Sequence, residues 1–148
     1  MKLSELGPKS PVTIACDASI ADAARLMDSA NVGALVVMDG DRLAGIVTDR
    51  DIAVRAVARG IPHDGRIDGV MTTDVVTVSG YADAHDAYEL LRTHAIRRLP
   101  LLADGRLIGL ISVDDLLICL AADLANLARP VTGELLFGHH PTPVPATT

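Results

Sequence analysis

Hydrophobic positions along this chain switch between strand-like and helix-like spacing, and the switching itself recurs. At the start, Leu3 and Leu6 form a short amphipathic turn, and Pro8 and Pro11 keep Lys9 and Ser10 from extending it as helix. Val12-Thr13-Ile14 reads as a short strand. Ser19 followed by Asp22 is a capping-box-like start for a helix that sets Ile20, Ala23, Ala24, Met27 and Ala30 along one side. Asn31-Val32-Gly33 breaks it. Leu35-Val36-Val37-Met38 is an apolar run of strand length, Asp39-Gly40-Asp41 supplies a turn, and Leu43 to Val47 returns as the hairpin partner. Thr48 and Asp51 then open a second helix carrying Ile52, Val54, Ala56 and Val57, which Gly60 can end in a left-handed cap.

Gly60-Ile61-Pro62-His63-Asp64-Gly65 is dense in helix and strand breakers and marks a boundary. Beyond it the same order, β-α-β-β-α, begins again. With the chain offset by 64 residues, no gap is needed from Ser10/Asp74 to Ile52/Leu116. Identical residues recur at Thr13/Thr77, Ala18/Ala82, Asp22/Asp86, Ala23/Ala87, Leu26/Leu90, Arg42/Arg106, Leu43/Leu107, Gly45/Gly109 and Asp51/Asp115. An internal duplication explains this pattern. Two such units, each with a half-covered sheet, are expected to bury their apolar faces against one another as one compact module. After the second copy an apolar helix runs from Leu116 to Ala128 and is expected to stop near Arg129-Pro130. The stretch from His139 to Thr148, with three prolines, is expected to be a disordered tail.

Composition narrows the function. A chain of 148 residues can bury about two-thirds of the surface its unfolded form exposes and needs no staples. Aromatic residues are only 2%, which denies it stacking platforms for single-stranded nucleic acid, and a net charge of -6 argues against a phosphate-backbone binder. No long apolar run or signal-peptide pattern is present, so a cytoplasmic protein without a membrane partner is expected. Cys16 and Cys119 lack metal or redox spacing and are expected to be buried thiols. His63 and His85 have no partner spacing, His94 reads as a helix-end residue near two arginines, and His139-His140 lies in the tail. No metal site is expected.

The chemistry concentrates in a motif that occurs twice, Gly45-Ile46-Val47-Thr48-Asp49-Arg50-Asp51 and Gly109-Leu110-Ile111-Ser112-Val113-Asp114-Asp115. Each closes a strand with a small hydroxyl residue and places an aspartate three positions on. Helix capping alone explains both residue types, since the hydroxyl and carboxylate satisfy orphan amides at the positive end of the helix. The same residues also suit a ligand: a helix N-terminus attracts anions, and a carboxylate beside it accepts both hydroxyl protons of a ribose.

The duplicated motif, with Arg97-Arg98-Leu99-Pro100-Leu101 and Val70-Met71-Thr72, resembles paired cystathionine β-synthase (CBS) domains over residues 1 to 122. The resemblance implies an α/β (α+β) fold of two β-α-β-β-α CBS repeats related by pseudo-twofold symmetry. The layout is a first repeat over 1–60, a linker over 61–70, a second repeat over 71–128 and an extension over 129–148.

The resemblance also implies two clefts, each built from both repeats. By alignment, Thr48 and Asp51 share one with Val76, Ile96, Arg97 and Arg98, and Arg50 adds a cation. Ser112 and Asp115 share the other with Val12, Val32, Gly33 and Ala34. Arginine suits phosphate. The second cleft has Gly33 and Ala34 where those arginines stand and Asp114 where Arg50 stands, so a nucleotide phosphate is expected to favour the first.

Neither a nucleophile-base constellation, nor a P-loop, nor a zinc-ligand pattern can be assembled from this chain. The expected function is therefore a non-catalytic regulatory module, a homodimer by resemblance, that binds AMP, ADP, ATP or S-adenosylmethionine and signals to an effector protein. No other cofactor is expected. The alternative is a ligand-independent dimeric scaffold in which the Thr/Ser-x-x-Asp residues are only helix caps.

Overall fold

A computed structural model describes residues 1–137. Met1–Val113 form one compact unit, and a second begins at Asp114.

The first unit contains both halves of the duplication. In the first half, β1 (Thr13–Ala15) leads to α1 (Ile20–Ala30), then β2 (Ala34–Asp39) and β3 (Arg42–Thr48). In the second, β4 (Val78–Ser79) leads to α3 (Ala84–His94), then β5 (Arg98–Ala103) and β6 (Arg106–Ser112). Each half builds a three-stranded sheet in chain order, the first pair parallel and the second antiparallel. The hairpin irregularities also correspond, falling at Val37/Met38 and at Leu101/Leu102.

Local chemistry explains the helix starts. The Ser19 hydroxyl accepts the Asp22 N–H at 3.0 Å while the Asp22 carboxylate accepts the Ser19 N–H at 3.3 Å. Asp83 and Asp86 make the same reciprocal pair at 3.0 and 3.1 Å. The Ser19 hydroxyl and amide hold the Asp22 carboxyl below its ordinary range. The Asp86 amide does the same for Asp83. Both helices end in the left-handed region, α1 at Asn31 (φ 53) and α3 at Ala95 (φ 51).

The first half's core gathers Ile20, Ala23, Met27, Leu35, Val37, Val47 and Ala56, together with Ile67 and Val70 from the segment that follows. That segment lies along β3, where Ile46 and Thr72 exchange backbone hydrogen bonds of 3.0 and 2.8 Å. The N-terminal segment does the corresponding thing to the second half. Leu3, fully buried, donates its N–H to the Ala82 carbonyl at 2.8 Å, as Ile67 does to Ala18 at 2.8 Å. The duplication thus reaches back to Leu3/Ile67, and each half is completed by a short 3₁₀ turn, Leu3–Leu6 or Ile67–Gly69.

Two glycines make this close approach possible. A Cβ on Gly45 would stand 2.6 Å from both the Met71 sulfur and the Thr72 carbonyl, and one on Gly109 would stand 2.8 Å from Pro8.

Three expectations need correction. The helix opened by Thr48 is α-helical only over α2 (Asp49–Asp51) and continues as a π-helix over Ile52–Val57, as in the 2.9 Å bond from the Ala58 N–H to the Ala53 carbonyl. The apolar helix does not stop at Arg129-Pro130: α4 runs over Val113–Phe137 with Pro130 inside it. A proline removes one backbone donor and crowds the preceding turn, yet the helix runs on through it. Cys16 and Cys119 form no disulfide and are half-buried, not buried. The tail from His139 to Thr148 lies outside the described residues.

In the second unit, α4 exposes Leu117, Ile118, Leu120, Leu124 and Leu127, each more than half accessible. Among the described residues no helix is long and apolar enough to cross a membrane.

Candidate functional site

The first copy of the repeated motif forms its capping box in full. The Thr48 hydroxyl accepts the Asp51 N–H at 3.1 Å, and one Asp51 carboxylate oxygen, Oδ2, accepts the Thr48 N–H at 2.9 Å. Both side chains are half-buried. Capping does not exhaust them. The Thr48 hydroxyl keeps its proton to donate, and Oδ1 of Asp51 keeps its acceptor capacity.

These residues form the floor of a cleft of about 330 Å³. One wall is the extended strip that follows the 3₁₀ turn, contributing Thr72, Asp74, Val75 and Val76. The other is the entry to β5, with Ile96, Arg97 and Arg98. Ile46, Asp49 and Arg50 complete the lining. Thr48, Arg50, Asp51, Val76, Ile96, Arg97 and Arg98 therefore meet in one cavity.

The charge there is mixed. Arg50, Arg97 and Arg98 face Asp49, Asp51 and Asp74. Among the described residues neither Arg50 nor Arg98 is ion-paired to a carboxylate. His94 ends α3 and does not line the cleft.

Sequence reasoning missed Ile46, Asp49, Thr72, Asp74 and Val75. A usable signal was present, since Thr72, Asp74 and Val76 have the period-two spacing that puts alternate residues of an extended segment on one side. The intervening Thr73 and Thr77, with Val75, line a separate cavity of about 310 Å³ beside Met38, Leu43, Leu102 and Leu107.

The residues of the second expected set are divided. Val12, Val32, Gly33, Ala34 and Ser112 belong to the first unit, and Asp115 lies in α4 of the second. Ala34 pairs with Thr48 across the first hairpin, and Arg98 pairs with Ser112 across the other. The Gly33 carbonyl accepts the Asp49 N–H at 3.0 Å, and the Arg97 carbonyl accepts the Val113 N–H at 3.0 Å. A Cβ at Gly33 would stand 3.1 Å from the Asp49 carboxylate, so the glycine keeps that approach open.

Comparison with known proteins agrees with this architecture. The family model for the CBS domain matches residues 3–57 and 67–122. The CBS domain-containing protein YhcV of Bacillus subtilis (strain 168) is 38% identical over 104 residues, covering 70% of this chain and 74% of its own. The structure of a signal-transduction protein with CBS domains from Burkholderia ambifaria MC40-6 superposes with a TM-score of 0.76 at 33% identity, covering 83% of this chain and 96% of that one. A CBS domain protein from Pyrobaculum aerophilum, solved in complex with AMP, superposes with a TM-score of 0.72 at 30% identity, covering 82% and 99% of the two chains.

Proposed function

This chain belongs to the CBS-domain family, and we propose that it is a non-catalytic regulatory module that binds an adenosine-containing ligand. The expected ligands are AMP, ADP, ATP or S-adenosylmethionine. The observation that carries this reading is the 330 Å³ cleft in which the Thr48/Asp51 motif of one repeat meets Arg97 and Arg98 of the other. Asp51 Oδ1 accepts hydrogen bonds from the ribose hydroxyls. Arg98, Arg97 and Arg50 meet the phosphate, for which guanidinium geometry is well matched. Val76 and Ile96, both half-buried, supply apolar contact for the base. The AMP-bound relative from Pyrobaculum aerophilum supports the ligand class.

In this proposal the second set of residues, Val12, Val32, Gly33, Ala34, Ser112 and Asp115, is empty or takes an uncharged nucleoside, because no arginine corresponds to Arg97 or Arg98 there. The module acts as a cytoplasmic homodimer, with the exposed leucines of α4 as candidate contact surface, and it passes its ligation state to an effector protein. Ligand shifts that state only by its differential affinity for two arrangements.

Calorimetric titration of AMP and ATP into wild type and Asp51→Ala tests the site. Binding is expected to be lost or strongly weakened in the variant, and unchanged binding would sink the assignment. The complete capping box favours one alternative, a ligand-independent scaffold in which Thr48 and Asp51 only cap the helix. A thermal-shift panel separates the two. A ligand at a hundredfold excess over its Kd adds about 2.7 kcal/mol of stability, which raises the melting temperature of a chain this size by about 5 to 10 degrees. No shift with AMP, ADP, ATP, S-adenosylmethionine, NAD or GMP would favour the scaffold.

A further inference from the structure

One side chain outside the cleft lining touches both its floor and its wall. Arg55 lies four residues beyond Asp51, in the π-helical stretch, and its Nε is 3.7 Å from Asp51 Oδ1. Its Nη1 is 3.3 Å from the Val70 carbonyl, 3.3 Å from the Met71 carbonyl and 3.4 Å from the Thr72 hydroxyl. Thr72 lines the cleft and is bonded in both directions to Ile46, which also lines it. A single guanidinium therefore spans the carboxylate on the floor and the strip that forms the wall.

The geometry at Asp51 gives this contact its meaning. Oδ2 is occupied by the Thr48 amide, so Oδ1 is the oxygen left to meet a ligand donor. At 3.7 Å the Arg55 Nε attracts Oδ1 without forming a hydrogen bond that would take up its lone pairs. The Thr48 amide on Oδ2 and the Arg55 guanidinium near Oδ1 together orient the carboxylate, whose side chain is only 17% exposed. Arginine is suited to this double duty because its planar fork stays charged and directs several donors at once. Lysine has a point charge and cannot reproduce both sets of contacts.

The backbone around Arg55 is unusual as well. Ile52–Val57 is the only π-helical stretch among the described residues, and such wide turns are frequent at functional sites. At the 64-residue offset the position of Arg55 is taken by Cys119, in the α-helical α4, so that position carries no cation in the second copy.

We propose that Arg55 is a positioning residue of the first cleft, fixing Asp51 and the Val70–Thr72 strip in register so that ribose hydroxyls are recognised there. This inference rests on the adenosine reading, and its test is built to fail separately from it. AMP and 2′-deoxyadenosine monophosphate are titrated by calorimetry into wild type, Arg55→Lys and Arg55→Met. In wild type the ribonucleotide is expected to bind about tenfold or more tightly than the deoxy compound, as for a hydrogen bond to a charged acceptor.

In Arg55→Met that ratio is expected to fall toward one, with an intermediate value in Arg55→Lys. A role confined to stability would weaken both ligands by the same factor, and an unchanged ratio overturns the proposal. If Arg55→Met does not fold, the Arg55→Lys ratio decides by the same criterion. If wild type binds neither nucleotide, the adenosine reading and the ribose role of Arg55 both fall. Amide exchange at Ile46 and Thr72 of the apo protein then separates that result from loss of the register contact: faster exchange in the variant retains the register role, and unchanged exchange removes that too.

Discussion

The two halves of the duplication share a scaffold and differ in what they add to it. Sheet order, hairpin irregularity, capping pairs and the left-handed helix ends correspond position by position. The residues around the repeated Thr/Ser-x-x-Asp do not. Gly33 and Ala34 correspond to Arg97 and Arg98, Arg50 to Asp114, and Arg55 to Cys119. Caps and helix ends exchange residues that keep the same backbone geometry, such as Ser19 for Asp83 and Asn31 for Ala95, whereas these exchanges beside the motif change charge. A duplicated fold can in this way keep one architecture and still present two chemically distinct surfaces.

The largest expected effects test whether the halves are equivalent as scaffold. Leu35 and Leu99 correspond and are both fully buried. Leu35→Ala and Leu99→Ala are each expected to cost about 2–5 kcal/mol in urea unfolding. Because both halves lie within one compact unit, each variant should unfold in a single transition; two separated transitions would break the equivalence. Gly45→Ala and Gly109→Ala should separate the halves. Overpacking of this kind costs about 1–3 kcal/mol, and Gly45→Ala is expected at the upper end because its Cβ meets the Thr72 carbonyl as well as the Met71 sulfur. At Gly109 the obstacle is the Pro8 ring, in a segment near the chain end that can shift. Equal losses would remove that distinction.

The smallest effect lies in acid. Asp22 and Asp83 have carboxyls lowered from 3.8 by their capping partners. A lowered folded-state pKa means that the stabilisation is fully present above the unfolded value and is lost as pH falls through the folded one. Stability should therefore decline further as pH drops below 3.8. In the second half the cap acceptor Asp83 itself titrates, whereas in the first half the acceptor is the Ser19 hydroxyl, so Asp83→Ser should reduce the acid sensitivity. A midpoint-versus-pH series that is identical for variant and wild type would contradict this.

Much of the fold was legible because its signals are local. Ser19-x-x-Asp22, Asn31 and Gly40 announce a cap, a helix end and a turn from their own chemistry, and the 64-residue echo repeats the message. The aligned set around Thr48 was legible only through the family resemblance, since nothing local in Val76 or Ile96 points to a cleft. Three features could not be read. The π-helical register of Ile52–Val57 differs from an α-helix by one hydrogen-bond step that residue propensity does not encode. The contacts of Arg55 with Val70, Met71 and Thr72 join segments distant in sequence. Pro130 is a helix breaker by its own chemistry, and α4 nevertheless continues through it.

The placement of Leu3 and Ile67 has one more consequence. Each half carries, just ahead of itself, the piece that finishes the other, so the two exchange leaders as in a swapped dimer drawn within one chain. A fragment ending in the Gly60–Gly65 loop would keep its own leader and lose the one it needs, leaving the flank of β3 beside Gly45 bare. Cutting the chain there would yield not two modules but two incomplete ones, each able to close only by borrowing the other's leader.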